Sequence, residues 1–189
     1  MKIMAFIGSP RKNGNTDILI EQILQGARTA GAEVKKVYIN DLNFKGCQGC
    51  RYCKTHDKCR QEDDMTPLYD EIIQADAIIL GSPIYMFNVT GQTKLFLDRW
   101  YALIRKDQSL RLPPGKKSIL VFTQGNADEN AFEYSFSLVS TLFRMSGMDT
   151  ETLIAAGVNE AGEVRRNERL MKEADRLGRC LVKGREVIS

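Results

Sequence analysis

Four cysteines within thirteen residues form the densest group of potentially reactive side chains in the sequence. They follow the pattern C-x2-C-x2-C-x5-C at Cys47, Cys50, Cys53 and Cys59. Soft thiolates bind iron–sulfur clusters, and two-residue gaps let a turning backbone direct successive sulfurs to one centre. The spacing therefore favours a 4Fe-4S cluster, while zinc and reduced thiols that pack the loop or oxidise in pairs stay open. His56, the single histidine, lies in this loop and is interpreted as an exposed loop residue.

A polar loop, residues 8–16, follows the first apolar run and suits an anion. Its glycines and asparagines permit backbone angles that turn amide hydrogens inward, and the helix that follows carries about half a positive charge at its N-terminus. Ser9, Asn15 and Thr16 add side-chain donors, and Arg11 can pair with a phosphate through two hydrogen bonds. Neither G-x-x-x-x-G-K-[ST] nor G-x-G-x-x-G occurs, so neither a triphosphate nor a dinucleotide site is predicted. The alternative is a polar turn with a Ser or Thr helix cap.

A second loop that follows a predicted strand, Gly81–Asn88, carries bulky apolar side chains that a globular protein would not normally leave exposed. A flat ligand could cover these side chains. They could also pack against a neighbouring subunit, and the two interpretations do not exclude each other. Further along the chain, Thr123–Asn126 offers polar groups that could read the edge of a ring. The two loops together predict a site for a planar ligand.

The elements that must position these loops are short apolar runs alternating with helical patterns. Apolar residues recur at helical spacing within Ile20–Ala27, Phe96–Ile104, Phe136–Phe143 and Val164–Leu181. The predicted strands are Lys2–Ile7, Glu33–Ile39, Ala77–Gly81, Ser118–Thr123 and Thr150–Ala155. Strands without apolar–polar alternation, each followed by a helix, predict a doubly wound, five-stranded parallel α/β sheet with helices on both faces. Ligands bind beyond the carboxyl ends of such strands, where the loops that follow them meet.

Composition excludes several other classes of protein. The 189 residues suffice for one domain, which we expect over residues 1–189. Twenty-seven Lys and Arg against 24 Asp and Glu give a net charge of +3, too small to predict nucleic acid or an anionic membrane as a partner. No apolar run approaches the ~20 residues of a membrane span. Because four of the five cysteines are clustered, a secreted disulfide scaffold is not expected, and we predict a cytoplasmic protein.

Three motifs in order resemble a known family. Gly8-Ser9-Pro10-Arg11 with Gly14-Asn15-Thr16, then Gly81–Tyr85, and Lys94-x-x-x-Asp98-Arg99 are similar to the flavodoxin-like flavoproteins grouped as NADPH-dependent FMN reductases. The cysteines bring the chain nearest to the iron–sulfur flavoprotein branch, and the resemblance runs from Met1 to about Asn126. It implies bound FMN, with the phosphate in the first loop and the ring against the second and third. The residues it implies around FMN are Ser9, Arg11, Asn15 and Thr16 at the phosphate and Pro83, Ile84, Tyr85, Met86, Phe87, Thr123 and Gly125 at the ring.

The resemblance also implies a function. It implies an oxidoreductase that passes electrons from NAD(P)H, or from a protein donor, through FMN to a small acceptor such as a quinone or flavin. Backbone amides of the loop from Tyr85 to Phe87 would stabilise the reduced ring. The alternative is an iron–sulfur flavoprotein acting as electron carrier or redox sensor with ferredoxin-like partners. A homodimer or homotetramer is expected, with Phe96 and Trp100 offering surface that needs cover, and Lys94, Asp98 and Arg99 on a structural and subunit-contact face.

Overall fold

The computed structural model describes residues 1–183. The strands are β1 (Lys2–Ile7), β2 (Glu33–Tyr38), β3 (Ala77–Tyr85), β4 (Asn88–Val89), β5 (Lys117–Thr123) and β6 (Asp149–Ala155). The α-helices are α1 (Asn15–Thr29), α2 (Met65–Gln74), α3 (Gly91–Arg99), α4 (Glu133–Met145) and α5 (Glu168–Lys183). Short 3-10 turns lie at Ile39–Asp41, Tyr52–Lys54, Trp100–Leu103 and Glu163–Arg166.

Five of the strands form one parallel sheet in the order β2-β1-β3-β5-β6. This is the flavodoxin-like order, in which the chain reverses direction across the sheet beside β1. The predicted fold class is therefore confirmed. The carboxyl ends of β1, β3 and β5 lie side by side, so the loops that follow them open onto one crevice.

The third strand is longer than predicted. It continues past Gly81 to Tyr85, and β4 then pairs with it in antiparallel fashion, Tyr85 opposite Asn88. The connection is a two-residue hairpin turn, Met86-Phe87, with positive φ at both residues. The sequence lacks the Asn-Gly or Asp-Gly pair that usually marks such a turn, which is why the segment is predicted as a loop.

Helices cover both faces of the sheet and bury separate apolar clusters. On one face α1 and α5 pack on alternate residues of β1 and β3 such as Ala5 and Ile79. On the other, α2, α3 and α4 pack on Phe6, Leu80 and Phe122. Each large apolar side chain buried in this way contributes about 1.5–3 kcal/mol to stability.

Helix α2 is not among the helices predicted from the sequence. Its buried residues Met65, Leu68, Tyr69 and Ile72 have helical spacing, and just before the helix Asp63 Oδ1 accepts a hydrogen bond from the Met65 amide at 3.1 Å. The periodic stretch is only ten residues long and directly follows the cysteines, so its signal is weak.

Two glycines bring α1 and α5 into unusually close contact. A Cβ added at Gly178 would lie 1.9 Å from the Ile23 carbonyl oxygen, and one at Gly26 would lie 2.2 Å from that of Asp175. Neither glycine is needed for its backbone angles. Both are needed because the helix backbones almost touch.

Three residues expected at a subunit surface lie elsewhere. Phe96 and Trp100 are buried, Phe96 against Phe6 of β1 and Trp100 against Phe143 of α4, because the helical stripe to which they belong faces the core. Arg99 is 1% exposed and contacts the cysteine loop, residues 42–64, through Asp63. The large apolar side chains that are exposed on these helices are Leu95, Tyr134, Leu138 and Met145. Within residues 1–183, no helix has the length and apolar character needed to cross a bilayer.

Candidate functional site

The three predicted loops meet at the carboxyl edge of the sheet. The Gly8 amide donates to the Gly81 carbonyl at 2.7 Å, which joins the first loop to β3. Thr16 and Thr123 share a buried hydrogen bond between their hydroxyl oxygens at 2.7 Å, which joins α1 to β5. Pro83 lies opposite Thr123 in the sheet register. The structure thus brings predicted residues from all three loops together.

The first loop leads directly into the N-terminus of α1. Gly14 is the N-cap and has no side chain to occupy the first amides of the helix, which point outward toward any bound anion. Ser9 is buried, and its Oγ accepts a hydrogen bond from the Arg11 amide at 3.1 Å, which shapes the loop. The Arg11 side chain is exposed. The arrangement fits a single terminal phosphate.

A buried carboxylate that sequence reasoning missed holds this loop in place. Asp17 is 3% exposed, and its Oδ2 accepts from the Asn13 amide at 2.7 Å and from the Tyr38 hydroxyl at 2.9 Å. Asn13 needs this support because its φ is +60°. Lys36 donates to the other carboxylate oxygen at 3.0 Å. The one signal in the sequence is an acidic residue in the first turn of a helix.

The charge of Asp17 is matched within the same cluster. Burial lowers the pKa of Lys36, but hydrogen bonds to Glu21 and Asp17 outweigh burial, so its pKa lies above the ordinary value. Lys36 therefore stays protonated at neutral pH. Arg28 pairs with the other oxygen of Glu21, so two cations match two carboxylates and little net negative charge beneath the loop opposes a phosphate.

Two predicted phosphate ligands make protein contacts through their side chains. Asn15 Nδ2 donates to the Glu160 carbonyl at 2.9 Å, and its Oδ1 accepts from the Val164 amide at 3.2 Å. The Asn15 side chain thus holds the segment after β6, and its backbone amide remains at the helix N-terminus. In the bond between Thr16 and Thr123 only one hydroxyl donates, so the proton of the other is left for a ligand.

The second loop presents an apolar platform. Met86 is 89% exposed and Phe87 74%, and Tyr85 is also exposed, whereas Ile84 is half-buried and Pro83 buried. The Phe87 ring meets Phe132 edge-on, with centroids 5.7 Å apart. Two large apolar side chains at the rim of a polar crevice are the kind of surface that a flat ligand covers.

The third loop contributes a buried acceptor. Gln124 Nε2 donates to the Asp128 carbonyl at 2.6 Å, whereas Oε1 has no hydrogen-bond partner among the described residues. An unpaired buried acceptor costs about 1–3 kcal/mol, and a ring with an N–H edge, such as isoalloxazine, has the donor that it lacks. Gly125 packs closely under the Asn159 side chain, since a Cβ there would lie 2.1 Å from Asn159 Oδ1 unless that exposed side chain moved.

The N-terminus of α3 fixes the end of β1, a role that sequence reasoning also missed. The Thr90 hydroxyl and Gln92 Nε2 both donate to the Gly8 carbonyl, at 2.7 and 2.9 Å. A Cβ at Gly8 would lie 1.8 Å from Thr93 Oγ1. The segment Thr-Gly-Gln-Thr begins with a residue type favoured as an N-cap, which is its one signal.

The four clustered cysteines differ in their surroundings. Cys53 is buried, Cys59 is half-buried, and Cys47 and Cys50 are exposed. Burial raises the pKa of the Cys53 thiol, and the neighbouring Cys59 and Cys47 raise it further. Within residues 1–183, no three Cys, His, Asp or Glu side chains converge as metal ligands. The donor chemistry suits an iron–sulfur cluster, but the loop as folded does not arrange the thiols around one centre.

Cationic side chains fasten this cysteine loop to the rest of the protein. Arg99 donates to both carboxylate oxygens of Asp63, at 2.6 and 3.0 Å, and to the Lys45 carbonyl at 2.7 Å. Arg111 donates to the Cys53 carbonyl at 3.0 Å. Lys54 donates to the Tyr101 carbonyl at 2.9 Å. The loop is thus anchored by protein contacts at both ends and near its middle.

Comparison with known proteins gives the family. Residues 1–160 match the family described as NADPH-dependent FMN reductase. An iron–sulfur flavoprotein from Archaeoglobus fulgidus is 41% identical over 99 residues, which are 52% of this chain and 45% of that protein. The chain spans about half the length of the curated relatives that it first matches. The fold and the sequence match together define a flavodoxin-like flavoprotein, and the chain belongs to the NADPH-dependent FMN reductase family.

Solved structures support the same fold. An NAD(P)H:quinone oxidoreductase from Methanothermobacter marburgensis superposes with a TM-score of 0.74 at 15% identity, covering 98% of this chain and 99% of that one. An FMN-dependent NADH-azoreductase from Bacillus anthracis, solved with FMN, gives a TM-score of 0.72 at 16% identity, covering 97% and 100%. At these identities the likeness establishes the fold alone. FMN as the cofactor is supported by the family match.

Proposed function

We propose that this protein is an FMN-dependent oxidoreductase that passes electrons from NAD(P)H through bound FMN to a small acceptor such as a quinone or flavin. The observation that carries the proposal is the crevice itself. One end is a helix N-terminus with no side-chain cap, the middle is an exposed apolar platform, and the far edge holds an unpaired buried acceptor. These three features match a phosphate, a flat ring and an N–H edge.

At the phosphate end, this chain's residues bind and orient. The first amides of α1, the Arg11 guanidinium and the hydroxyls of Ser9 and Thr16 are the groups that would hold the phosphate. Asp17 holds the Asn13 amide so that the loop is ordered before a ligand arrives. Ordering in advance lowers the entropy lost on binding.

At the ring end, the chain positions a flat group and leaves one side of it accessible. Tyr85, Met86 and Phe87 are exposed and supply apolar contact, with Pro83 and Thr123 beneath them. The single histidine of the chain lies in the cysteine loop, where its Nδ1 is within hydrogen-bonding distance of the Tyr52 carbonyl oxygen and the Thr55 hydroxyl. Bound FMN supplies hydride and single-electron transfer, which side chains of this kind do not provide.

The proposal is tested with purified protein reconstituted with FMN. Visible absorption should show flavin bands that persist after gel filtration, and denatured protein should release FMN rather than FAD. NADH and NADPH oxidation is then followed with a quinone, free flavin or no acceptor. Acceptor-dependent oxidation supports the proposal. Protein that retains no flavin, or that retains flavin but oxidises neither nucleotide, contradicts it.

A second candidate is an iron–sulfur flavoprotein that carries electrons between protein partners. It is favoured by the complete C-x2-C-x2-C-x5-C pattern and by the name of the Archaeoglobus fulgidus relative. Exposed Arg51, Lys58 and Arg60 would suit an acidic, ferredoxin-like partner. Because the thiols do not converge as folded, a cluster would require Cys47 and Cys50 to move toward Cys53. About four irons per chain in anaerobically purified protein, with reduction by ferredoxin but not by NAD(P)H, would favour this candidate.

We further propose that the chain forms a homodimer or homotetramer through α3 and α4. Leu95, Tyr134, Leu138 and Met145 are exposed on these helices, and Leu138 also lines an apolar cavity of about 320 Å³ between them. Burying such a stripe against its own copy would remove it from water. Light scattering should give a mass of two or four times 21.3 kDa. A monomeric mass at micromolar concentration with flavin bound contradicts the proposal.

A cytoplasmic location is proposed on the state of the cysteines. All five are free thiols in the structure, which suits a reducing compartment. Cell fractionation of the tagged protein tests this, and recovery with secreted or envelope material contradicts it.

A further inference from the structure

The turn between β3 and β4 has an unusual conformation for its sequence. Tyr85 pairs with Asn88, so the turn consists of Met86 and Phe87 alone. Their φ angles are +45° and +68°, which is the type I′ pattern. That pattern favours Asn and Gly, and a bulky L residue occupies it only where surrounding structure enforces it. Two such residues in succession require an external support.

Ser135, in the first turn of α4, supplies that support. Its hydroxyl donates to the Phe87 carbonyl oxygen at 2.5 Å and makes no other hydrogen bond within residues 1–183. Ser135 is 5% exposed, so the bond is shielded from water. Phe132, just before α4, holds the Phe87 ring from the side. The carbonyl of Phe87 is therefore fixed against α4.

The same conformation leaves two donors at the tip of the turn. Neither the Met86 nor the Phe87 amide N–H has a hydrogen-bond partner among the described residues. They lie at the carboxyl end of β3, on the crevice proposed for FMN. Fixed N–H dipoles stabilise negative charge that appears on a ligand without first having to reorient. The negative charge of a flavin ring increases on reduction.

We infer that Ser135 is a positioning residue: it holds the strained Met86-Phe87 turn so that these two amides favour reduced FMN over oxidised FMN. The inference rests on the proposed FMN site. Loss of the Ser135 hydroxyl lets the turn relax, and the two amides then lose their fixed orientation. Oxidised FMN, which carries less charge on its ring, should be affected less.

The test compares dissociation constants of oxidised and anaerobically reduced FMN for the wild-type protein and Ser135→Ala. We expect about a tenfold greater loss of affinity for reduced than for oxidised FMN, equivalent to a two-electron potential about 30 mV lower. Ser135→Thr, which keeps a hydroxyl, should restore most of the difference. Ser137→Ala is the matched control, because Ser137 lies on the exposed side of α4 and donates to Tyr134 within the helix. It should leave the ratio of the two constants unchanged.

A second background separates positioning from general damage to α4. Met86→Asn with Phe87→Gly gives the turn its preferred sequence, so Ser135→Ala made in that background should no longer change the ratio. If Ser135→Ala does not fold, Ser135→Cys, with a weaker donor, should also weaken the binding of reduced FMN more than that of oxidised FMN. A wild-type protein that binds no FMN removes the proposed function. Wild-type protein that binds FMN, with an unchanged ratio in the Ser135 variant, overturns the positioning role alone.

Discussion

Asp17 could influence a bound phosphate in two ways, by ordering the first loop and by its negative charge, and two substitutions separate these effects. Its carboxylate holds the Asn13 amide and the Tyr38 hydroxyl on one oxygen and Lys36 on the other. Asp17→Ala removes all three acceptor contacts and frees a loop residue that needs a positive φ. Asp17→Asn keeps one acceptor oxygen but removes the charge. The first variant therefore tests loop order, and the second tests electrostatics.

The expected magnitudes follow from the contacts. Loss of a hydrogen bond to a charged acceptor costs about 1.5–3 kcal/mol. Asp17→Ala removes several such bonds, but the exposed Asn13 amide can hydrogen-bond to water instead, which limits the loss. We therefore expect the free energy of unfolding to fall by about 2–4 kcal/mol and FMN affinity to fall roughly tenfold. In Asp17→Asn, Lys36 keeps its bond to Glu21 and its charge is no longer matched by Asp17. A bound phosphate would then gain attraction, so FMN affinity should be unchanged or higher even though stability falls.

The assay is FMN titration followed by flavin fluorescence, with urea denaturation of the same samples in parallel. The matched control is Asp41→Ala, which removes an exposed carboxylate that pairs with Lys12 of the same loop. That control should alter neither quantity strongly, because an exposed ion pair contributes little to stability. An FMN affinity that falls equally in Asp17→Ala and Asp17→Asn would overturn this interpretation, because loss of the charge alone should not weaken phosphate binding and Asp17→Asn keeps an acceptor for the loop.

Three further changes test other parts of the structure. Arg99→Met should lower stability by about 2–4 kcal/mol, because it removes three hydrogen bonds from a buried guanidinium, two of them to the half-buried Asp63 carboxylate. It should also speed hydrogen exchange across the cysteine loop, whereas Arg105→Met, at an exposed cation, should do neither. Unchanged exchange in Arg99→Met contradicts the anchoring role. Gly178→Ala should lower the free energy of unfolding, measured by chemical denaturation, by about 1–3 kcal/mol, because the added methyl group forces α1 and α5 apart. The control Gly91→Ala places its methyl group in open space and should be neutral or stabilising, and equal effects of the two changes would argue against the close helix contact. Thr123→Val should weaken FMN binding by about 1 kcal/mol, because it removes the hydrogen-bond partner of the Thr16 hydroxyl. An unchanged dissociation constant would show that this hydroxyl pair does not contribute to FMN binding.

The sheet is predictable from the sequence because its strands are apolar runs separated by clear turn residues. The predicted strands agree with β1, β2, β5 and β6 to within about a residue, and only β3 extends well beyond its predicted end. The extension and β4 depend on the Met86-Phe87 turn, in which the Phe87 carbonyl accepts a hydrogen bond from Ser135, 48 residues away. A local sequence pattern carries no information about such a support.

Side-chain partnerships are the part of the site that the sequence does not predict. The sequence places Arg99 with Lys94 and Asp98 on a structural and subunit-contact face, whereas its burial depends on Asp63 in the cysteine loop. Asp17 binds Lys36 and Tyr38 from β2, a pairing set by how α1 packs on the sheet. The backbone loops follow from strand order, whereas the polar contacts that stiffen them follow from packing.

The most direct test of the central claim compares the binding of FMN and riboflavin by calorimetry. The two ligands share the ring and differ in the phosphate that the α1 N-terminus is proposed to hold. Each charge-assisted hydrogen bond to that phosphate contributes about 1.5–3 kcal/mol, so two of them predict one FMN per chain bound at least about 100-fold more tightly than riboflavin. Equal affinities for the two ligands, or no binding of either, would contradict the proposed site.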